Sequence, residues 1–205
     1  FLIVAIFWFV LSFFGAIPFL MDESLKFSLV EAIFESTSGW TTTGATVITN
    51  IDDLNKPLLL YRQLLQWLGG IGIVVLVLAI LPILGVGGMY LYKAETSSPV
   101  KDNKLSPRIT ETAKSLWGVY IILTIACAVL YKIAGMSYFD AIGHSFSTVS
   151  IGGFSTHDTS IGFYSSNLIK IICMVFMFLS ALNFVLHFLF YKNKSISVYA
   201  SNSAV

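Results

Sequence analysis

The residues best suited to chemistry in this chain are two short runs of hydroxyl side chains and glycine. One is Thr41, Thr42, Thr43 and Gly44, within SGWTTTGAT; the other is Ser150, Ile151, Gly152 and Gly153, within STVSIGGFS. Short loops of this kind bind dehydrated monovalent cations, because stacked backbone carbonyls replace the ion's hydration shell. β-branched threonines favour extended backbone, and their hydroxyls add further oxygens. Glycine supplies dihedral angles that a Cβ would close. Taken alone, a Thr–Gly run is equally a structural break in a helix hairpin, so the surrounding pattern must decide.

That pattern repeats. Residues 27–46 read FSLVEAIFESTSGWTTTGAT, and residues 136–155 read MSYFDAIGHSFSTVSIGGFS. At a constant offset of 109 residues, Ser28 pairs with Ser137, Ala32 with Ala141, Ile33 with Ile142, Ser36 with Ser145, Ser38 with Ser147 and Gly44 with Gly153. Glu31 and Asp140, Thr41 and Ser150, and Thr46 and Ser155 are conservative pairs, and Trp8 meets Trp117 upstream. The order of elements around them repeats too, which indicates an internal duplication. Each stretch opens as a half-apolar helix, about 28–38 and 137–147, and ends in the Thr/Ser/Gly run. Glu31 and Asp140 fall where a carboxylate offsets the helix dipole, and the helix C-termini favour a cation at the runs. Glu35 sits later in its helix, and its role stays open. His144 occupies the matching position in the second copy.

The elements around these stretches are hydrophobic. Of the 205 residues 56% are hydrophobic and 11% charged, with a mean hydropathy of +0.82; soluble domains carry about 25% charged residues. Four apolar segments, about 1–20, 58–92, 115–134 and 168–191, are each long enough to cross a bilayer. The second holds Gly69, Gly70, Gly72, Pro82, Gly85, Gly87 and Gly88 and reads as a tilted or broken span, its glycines serving helix packing. Polar, non-helical backbone between such spans must be buried in protein or line a water-filled path. The chain begins with Phe inside an apolar run and reads as cut within its first span, without the basic start of a signal peptide.

Lys93, Lys101, Lys104, Arg108 and Lys114 between spans two and three, with Lys192 and Lys194 after the fourth, place these segments in the cytoplasm by the positive-inside rule. Asp22, Glu23, Asp52, Asp53 and Asp158 then lie outside, where they raise the local cation concentration. Arg62, just inside span two, is expected to snorkel to the outer interface. The net charge of +1 gives no reason to expect a nucleic-acid partner.

Other chemistries fit less well. Cys127 and Cys173 lie in apolar runs and read as small hydrophobes. His144, His157 and His187 share no metal-ligand spacing and read as structural. GHSFS fails the GxSxG pattern at its last position, and no GK[ST] follows Gly69, Gly70 and Gly72. An intramembrane hydrolase would pair Ser145 or Ser147 with a histidine within hydrogen-bond reach, but Ser145 and His144 are helix neighbours pointing different ways. A potassium channel with two pore loops per chain would carry TVGYG-like filters, which both loops lack.

The strings SGWTTTGAT, QWLGGIGI, LYKAETSSPVKDNKLSPRITETAK and STVSIGGFSTHD resemble the TrkH branch of the Trk/Ktr/HKT potassium transporters. The resemblance covers nearly the whole chain and implies an all-α membrane protein: two tandem helix–pore loop–helix repeats, half of a four-repeat potassium-channel-like pore. The expected limits are residues 1–92 for the first repeat, 93–114 for a cytoplasmic linker, 115–191 for the second repeat and 192–205 for a cytoplasmic tail. The resemblance also implies potassium uptake, with sodium as a possible second ion, no organic cofactor and no enzymatic activity. The potassium ligands it implies are the carbonyls of Thr42 and Thr43 before Gly44 and of Ile151 and Gly152 before Gly153, with Thr41 and Ser150 one step deeper. The partners it implies are the remaining half of the pore subunit, a second copy in a homodimer, and a cytoplasmic nucleotide-binding regulatory (RCK-type, TrkA-like) subunit. The implied location is the bacterial inner membrane, within the lipid bilayer. The family's gating loop and blocking basic residue belong to its later repeats.

Overall fold

The computed structural model describes residues 2–84, 109–182 and 187. Helix α1 (Leu2–Gly15) is followed by the short α2 (Ile17–Met21), which carries Pro18 in its first turn, where a missing N–H costs nothing. Ser28 then caps α3 (Leu29–Trp40), its hydroxyl accepting from Glu31 N while the Glu31 carboxylate accepts from Ser28 N at 2.8 Å. This reciprocal box satisfies two donors that a helix start leaves unpaired. After a loop and a 3-10 turn at Ile51–Asp53, α4 runs over Lys56–Leu84.

The second repeat follows the same plan. Helix α5 (Ile109–Ile133) ends near Gly135, whose φ of 110° turns the chain. Ser137 caps α6 (Tyr138–Val149) by accepting from Asp140 N, and α7 (Asn167–Ala181) closes the described part. Among the described residues every regular element is helical. Glu31 and Asp140 both lie in the first turn of their helices, the position at which a carboxylate offsets the helix dipole.

One boundary differs from expectation, and of the tilted and broken readings of span two no break is seen among the described residues. Helix α4 is unbroken from Lys56 to Leu84. Its 29 residues span roughly 43 Å at 1.5 Å per residue, so it exceeds a hydrocarbon core of about 30 Å without a break. Helix α5 begins at Ile109 rather than 115, so the end of the expected linker is already helical. The rest of that linker, the end of the expected second span, most of the end of the fourth span and the tail lie outside the described residues.

Among the described residues one segment, Lys114–Ile133, is on its own long and apolar enough to cross a membrane, with a mean hydropathy of 2.0. Ala5–Met21 and Asn167–Ala181 are shorter apolar helices. Apolar side chains also cover the outside: Phe9, Phe14, Ile122, Ile125, Met174 and Phe178 are all exposed.

Packing repeats as the sequence does, with α1 against α3 and α5 against α6. Helix α4 is shared, for it packs on α3, α5 and α6. Two glycines allow this. A Cβ on Gly69 would lie 2.0 Å from the Trp40 carbonyl oxygen, and one on Gly70 would lie 2.8 Å from Ser150 Cβ. The helix thus touches the ends of both short helices, α3 and α6. Gly72 meets nothing within 4 Å. Trp67 locks α4 to the second repeat: its ring stacks on Tyr120 and Phe146, and its Nε1 donates to Thr124 Oγ1 at 3.0 Å. Cys127 is fully buried in the core formed with Tyr131, Met136, Ile169 and Phe176.

Candidate functional site

Each Thr/Ser/Gly run is the end of a short helix. After α3, Thr41 N donates to Thr37 O, Thr42 N to Gly39 O and Thr43 N to Ser38 O, at 2.9, 3.0 and 2.9 Å. After α6, Ser150 N donates to Phe146 O, Ile151 N to Thr148 O and Gly152 N to Ser147 O, at 3.2, 3.2 and 2.8 Å. Every donor and acceptor in the second set lies 109 residues beyond its counterpart. The crossed pair of bonds closing each turn is a Schellman ending, which needs a left-handed residue just past the helix.

Glycine ordinarily takes that position, but here it is Thr42, with a φ of 53°, and Ile151, with a φ of 55°. A β-branched residue there is held against about 1–3 kcal/mol of strain, a cost that clusters at functional sites. Gly44 and Gly153 are left-handed as well, at 75° and 88°, while Thr43 and Gly152 between them are not. Both loops therefore alternate in hand over the three residues singled out as the filter.

The loops also touch. A Cβ on Gly44 would lie 2.1 Å from the Gly152 carbonyl oxygen, so only glycine fits against the second loop. Among the described residues, the carbonyls of Thr42, Thr43, Gly44 and Ile151 accept no protein hydrogen bond. Gly152 differs: its carbonyl accepts from Gln66 Nε2 at 2.7 Å. One of the four carbonyls expected to bind the ion thus already has a protein partner. Thr41 and Ser150 cap α3 and α6. Thr41 Oγ1 donates to Thr37 O and lies 2.8 Å from Thr43 Oγ1, and Ser150 Oγ donates to Ser147 O.

Behind the loops lies a fully buried ion pair. Arg62 and Glu35 are both 0% exposed and meet at 2.8 Å. Arg62 Nε donates to Glu35 Oε1 at 2.9 Å, Nη2 to Thr46 Oγ1 at 3.1 Å and Nη1 to the Ser155 carbonyl at 3.3 Å, with the guanidinium 4.3 Å from the centre of the Phe154 ring. Arg62 does not snorkel, contrary to expectation, because Glu35 and two loop oxygens satisfy it inside the protein. Glu35 also accepts from Thr46 Oγ1 at 2.8 Å and Val47 N at 3.1 Å. In the second repeat His144 takes the Glu35 position, and its Nε2 meets Ser155 Oγ at 2.9 Å. Ser155 is the counterpart of Thr46, so one side-chain tie recurs in two chemistries.

One turn along α4 from Arg62, buried Gln66 reaches the second loop. Its Nε2 donates to Gly152 O, and its Oε1 accepts from Phe154 N at 3.0 Å. Gln66 opens the string QWLGGIGI but carries no chemical motif of its own. Its signal was positional, since Arg62, Gln63 and Gln66 place polar groups on adjoining positions of an otherwise apolar span, where polar residues are costly.

The segments that follow the two loops are clasped together. Ile51 N donates to Asp158 Oδ1 at 2.8 Å, and Asp158 N donates to Asp52 Oδ2 at 3.2 Å. His157 Nδ1 meets Asp52 Oδ1 at 2.5 Å, and its ring stacks on Phe163 with centroids 3.6 Å apart. The His157 hydrogen bond, followed by that from the Asp158 amide, holds the Asp52 carboxyl below its ordinary value. His187 Nε2 lies 2.8 Å from the Leu179 carbonyl. Ser145 Oγ donates to Ile142 O and Ser147 Oγ to His144 O, so neither meets a histidine ring in the pairing a hydrolase needs.

The family model for TrkH, described as a cation transport protein, matches residues 1–204. The chain belongs to the TrkH family. It is 58% identical over 97% of its length to a Trk system potassium uptake protein TrkH of Halomonas elongata, covering 41% of that protein. Against the protein of the same name from Escherichia coli K12 it is 56% identical, with the same coverage of each chain. The fold is similar to that of the crystal structure of the potassium transporter TrkH from Vibrio parahaemolyticus, with a TM-score of 0.78 and 52% identity over 97% of this chain and 38% of that one. This TrkH-family chain thus spans about two fifths of the length of the relatives it matches. Among its described residues every regular element is helical, and its family is one described as cation transport proteins.

Proposed function

We propose that this TrkH-family chain supplies two of the filter segments of a potassium uptake pore. The observation that carries this reading is the pair of loops with the same hydrogen bonds and the same alternation of hand. In a uniform strand, groups point alternately to opposite sides. Residues whose φ alternates between positive and not remove that reversal and turn successive carbonyls toward one side. The carbonyls of Thr42, Thr43 and Ile151 then face the ion, and Gly152 contributes only the lone pair that Gln66 leaves free. Thr41 and Ser150 lie one step deeper. The negative ends of α3 and α6 both lead into the loops and add to the attraction for a cation. Sodium is the competing ion.

The relatives carry the name of a potassium uptake system and are longer than this chain. The whole pore accordingly needs the remaining half of its subunit. In the assembly proposed here, two such subunits pair in the inner membrane on a nucleotide-binding cytoplasmic subunit of TrkA-like type. The loops enter from outside, and the 93–114 segment and the C-terminus face the cytoplasm.

The test is potassium uptake by the complete protein carrying Gly44→Leu, in cells lacking their own uptake systems. The Gly152 carbonyl stands where the new side chain must go, so uptake is expected to fall at least tenfold. Unchanged uptake with an unchanged potassium-to-sodium preference overturns the assignment.

A further inference from the structure

The first repeat's long helix reaches across to hold the second repeat's loop. Arg62 and Gln66, both fully buried, stand one turn apart on α4, and residues i and i+4 share a helix face. From that face Arg62 joins residue 46 of the first repeat to residue 155 of the second, and these are equivalent positions in the duplication. Gln66 brackets Gly153 by bonding the carbonyl before it and the amide after it. The polarity of those backbone groups fixes the amide: nitrogen toward Gly152 O, oxygen toward Phe154 N. Gly152 must lack a side chain for this, since a Cβ there would lie 2.4 Å from Gln66 Cδ.

We propose that Arg62 and Gln66 are positioning residues that determine ion preference: they set the distance and register between the two filter loops without touching the ion. A core that needed only cohesion is filled as well by apolar groups, and a buried ion pair adds little stability over them. Here, among the described residues, every side-chain hydrogen bond of Arg62 and Gln66 beyond Glu35 falls on residues 46, 152, 154 or 155, all in or just after a loop. A planar guanidinium and a planar amide both transmit geometry, because their donors are fixed in direction. Cation discrimination in the second loop then depends on a helix of the first repeat. This inference rests on the filter reading above.

The experiment uses the complete uptake protein and measures potassium and sodium influx side by side. Gln66→Leu keeps the bulk but leaves Gly152 O and Phe154 N unpaired, and is expected to lower the potassium-to-sodium influx ratio about tenfold. Gln66→Glu keeps the acceptor for Phe154 N but sets an oxygen against the Gly152 carbonyl, and is expected to lower the ratio as well. Arg62→Lys keeps the charge beside Glu35 but loses the fork, and is expected to transport with a reduced ratio. If a variant fails to accumulate in the membrane, Thr46→Val reads the same link from the loop side through a near-isosteric change. A ratio unchanged in Gln66→Leu and in Thr46→Val overturns the proposal. Gly153→Ala serves as the separate arm. If it shifts the ratio while the Gln66 and Thr46 variants do not, positioning by α4 fails and the filter stands; if none shifts it, the filter reading itself fails.

Discussion

At the scale of single residues, the two glycines proposed for the filter look alike in sequence and differ in space. Gly44 at φ 75° faces the Gly152 carbonyl, which a Cβ would approach to 2.1 Å, whereas a Cβ on Gly153 at φ 88° meets nothing nearer than 3.9 Å. Gly153→Ala is therefore expected to cost only the left-handed strain, about 1–2 kcal/mol. Gly44→Ala adds a backbone collision and is expected to cost more. Melting temperatures of the purified complete protein check this; equal losses would show that the loops do not touch as described. The glycines and hydroxyls of the candidate site stand out in the sequence because loop chemistry is local. The inward aim of Arg62 was not. A lone arginine near the end of a span reads as a snorkelling one, and its partner Glu35 lies in another helix, brought near only by the packing of α3 on α4. The contacts of Gln66 were not legible for the same reason, as its partners are backbone groups of the other repeat.

At the scale of elements, the caps and helix limits of α3 and α6 follow from Ser28 with Glu31 and Ser137 with Asp140, a signature that acts within one turn and can be read directly. The glycines of α4 were read as packing residues, and the structure divides them. Gly69→Ala puts a Cβ 2.0 Å from the Trp40 carbonyl at the end of α3. It is expected to destabilise by a few kcal/mol, as overpacking does. Gly72→Ala meets open space, and helix propensity there favours alanine by up to about 1 kcal/mol. Thermal unfolding of the two variants should therefore move in opposite directions, and a matching loss in both would place Gly72 in a contact. The continuity of α4 was not legible. Gly69 and Gly70, which could break an isolated helix, instead lie inside it against the ends of α3 and α6.

At the scale of the whole molecule, hydrogen bonds tie the two repeats together through α4 behind the loops and through the Asp52–Asp158 clasp beyond them. The bonds to Asp52 favour its carboxylate form and depress its titration. Their stabilisation is thus complete above the ordinary aspartate range and lost as pH falls through the lower folded-state value. Because Asp52 is 45% exposed, the gain is about 0.2–1 kcal/mol. The wild-type protein is expected to melt slightly above an Asp52→Asn variant at neutral pH, with the gap closing in acid below the usual carboxylate range. A gap that persists there removes Asp52 from the clasp. The duplication, and with it the plan of the fold, was legible at this scale because a fixed offset survives any change in packing.

The Schellman turns that open both loops have a consequence for descent. Main-chain bonds to the preceding helix define each turn, so its shape passes from copy to copy whatever side chains follow. After a duplication, one copy became Thr-Thr-Thr-Gly and the other Ser-Ile-Gly-Gly without either losing its backbone path. Mutation can thus change the side chains of such loops one copy at a time, while the architecture that presents them is inherited whole.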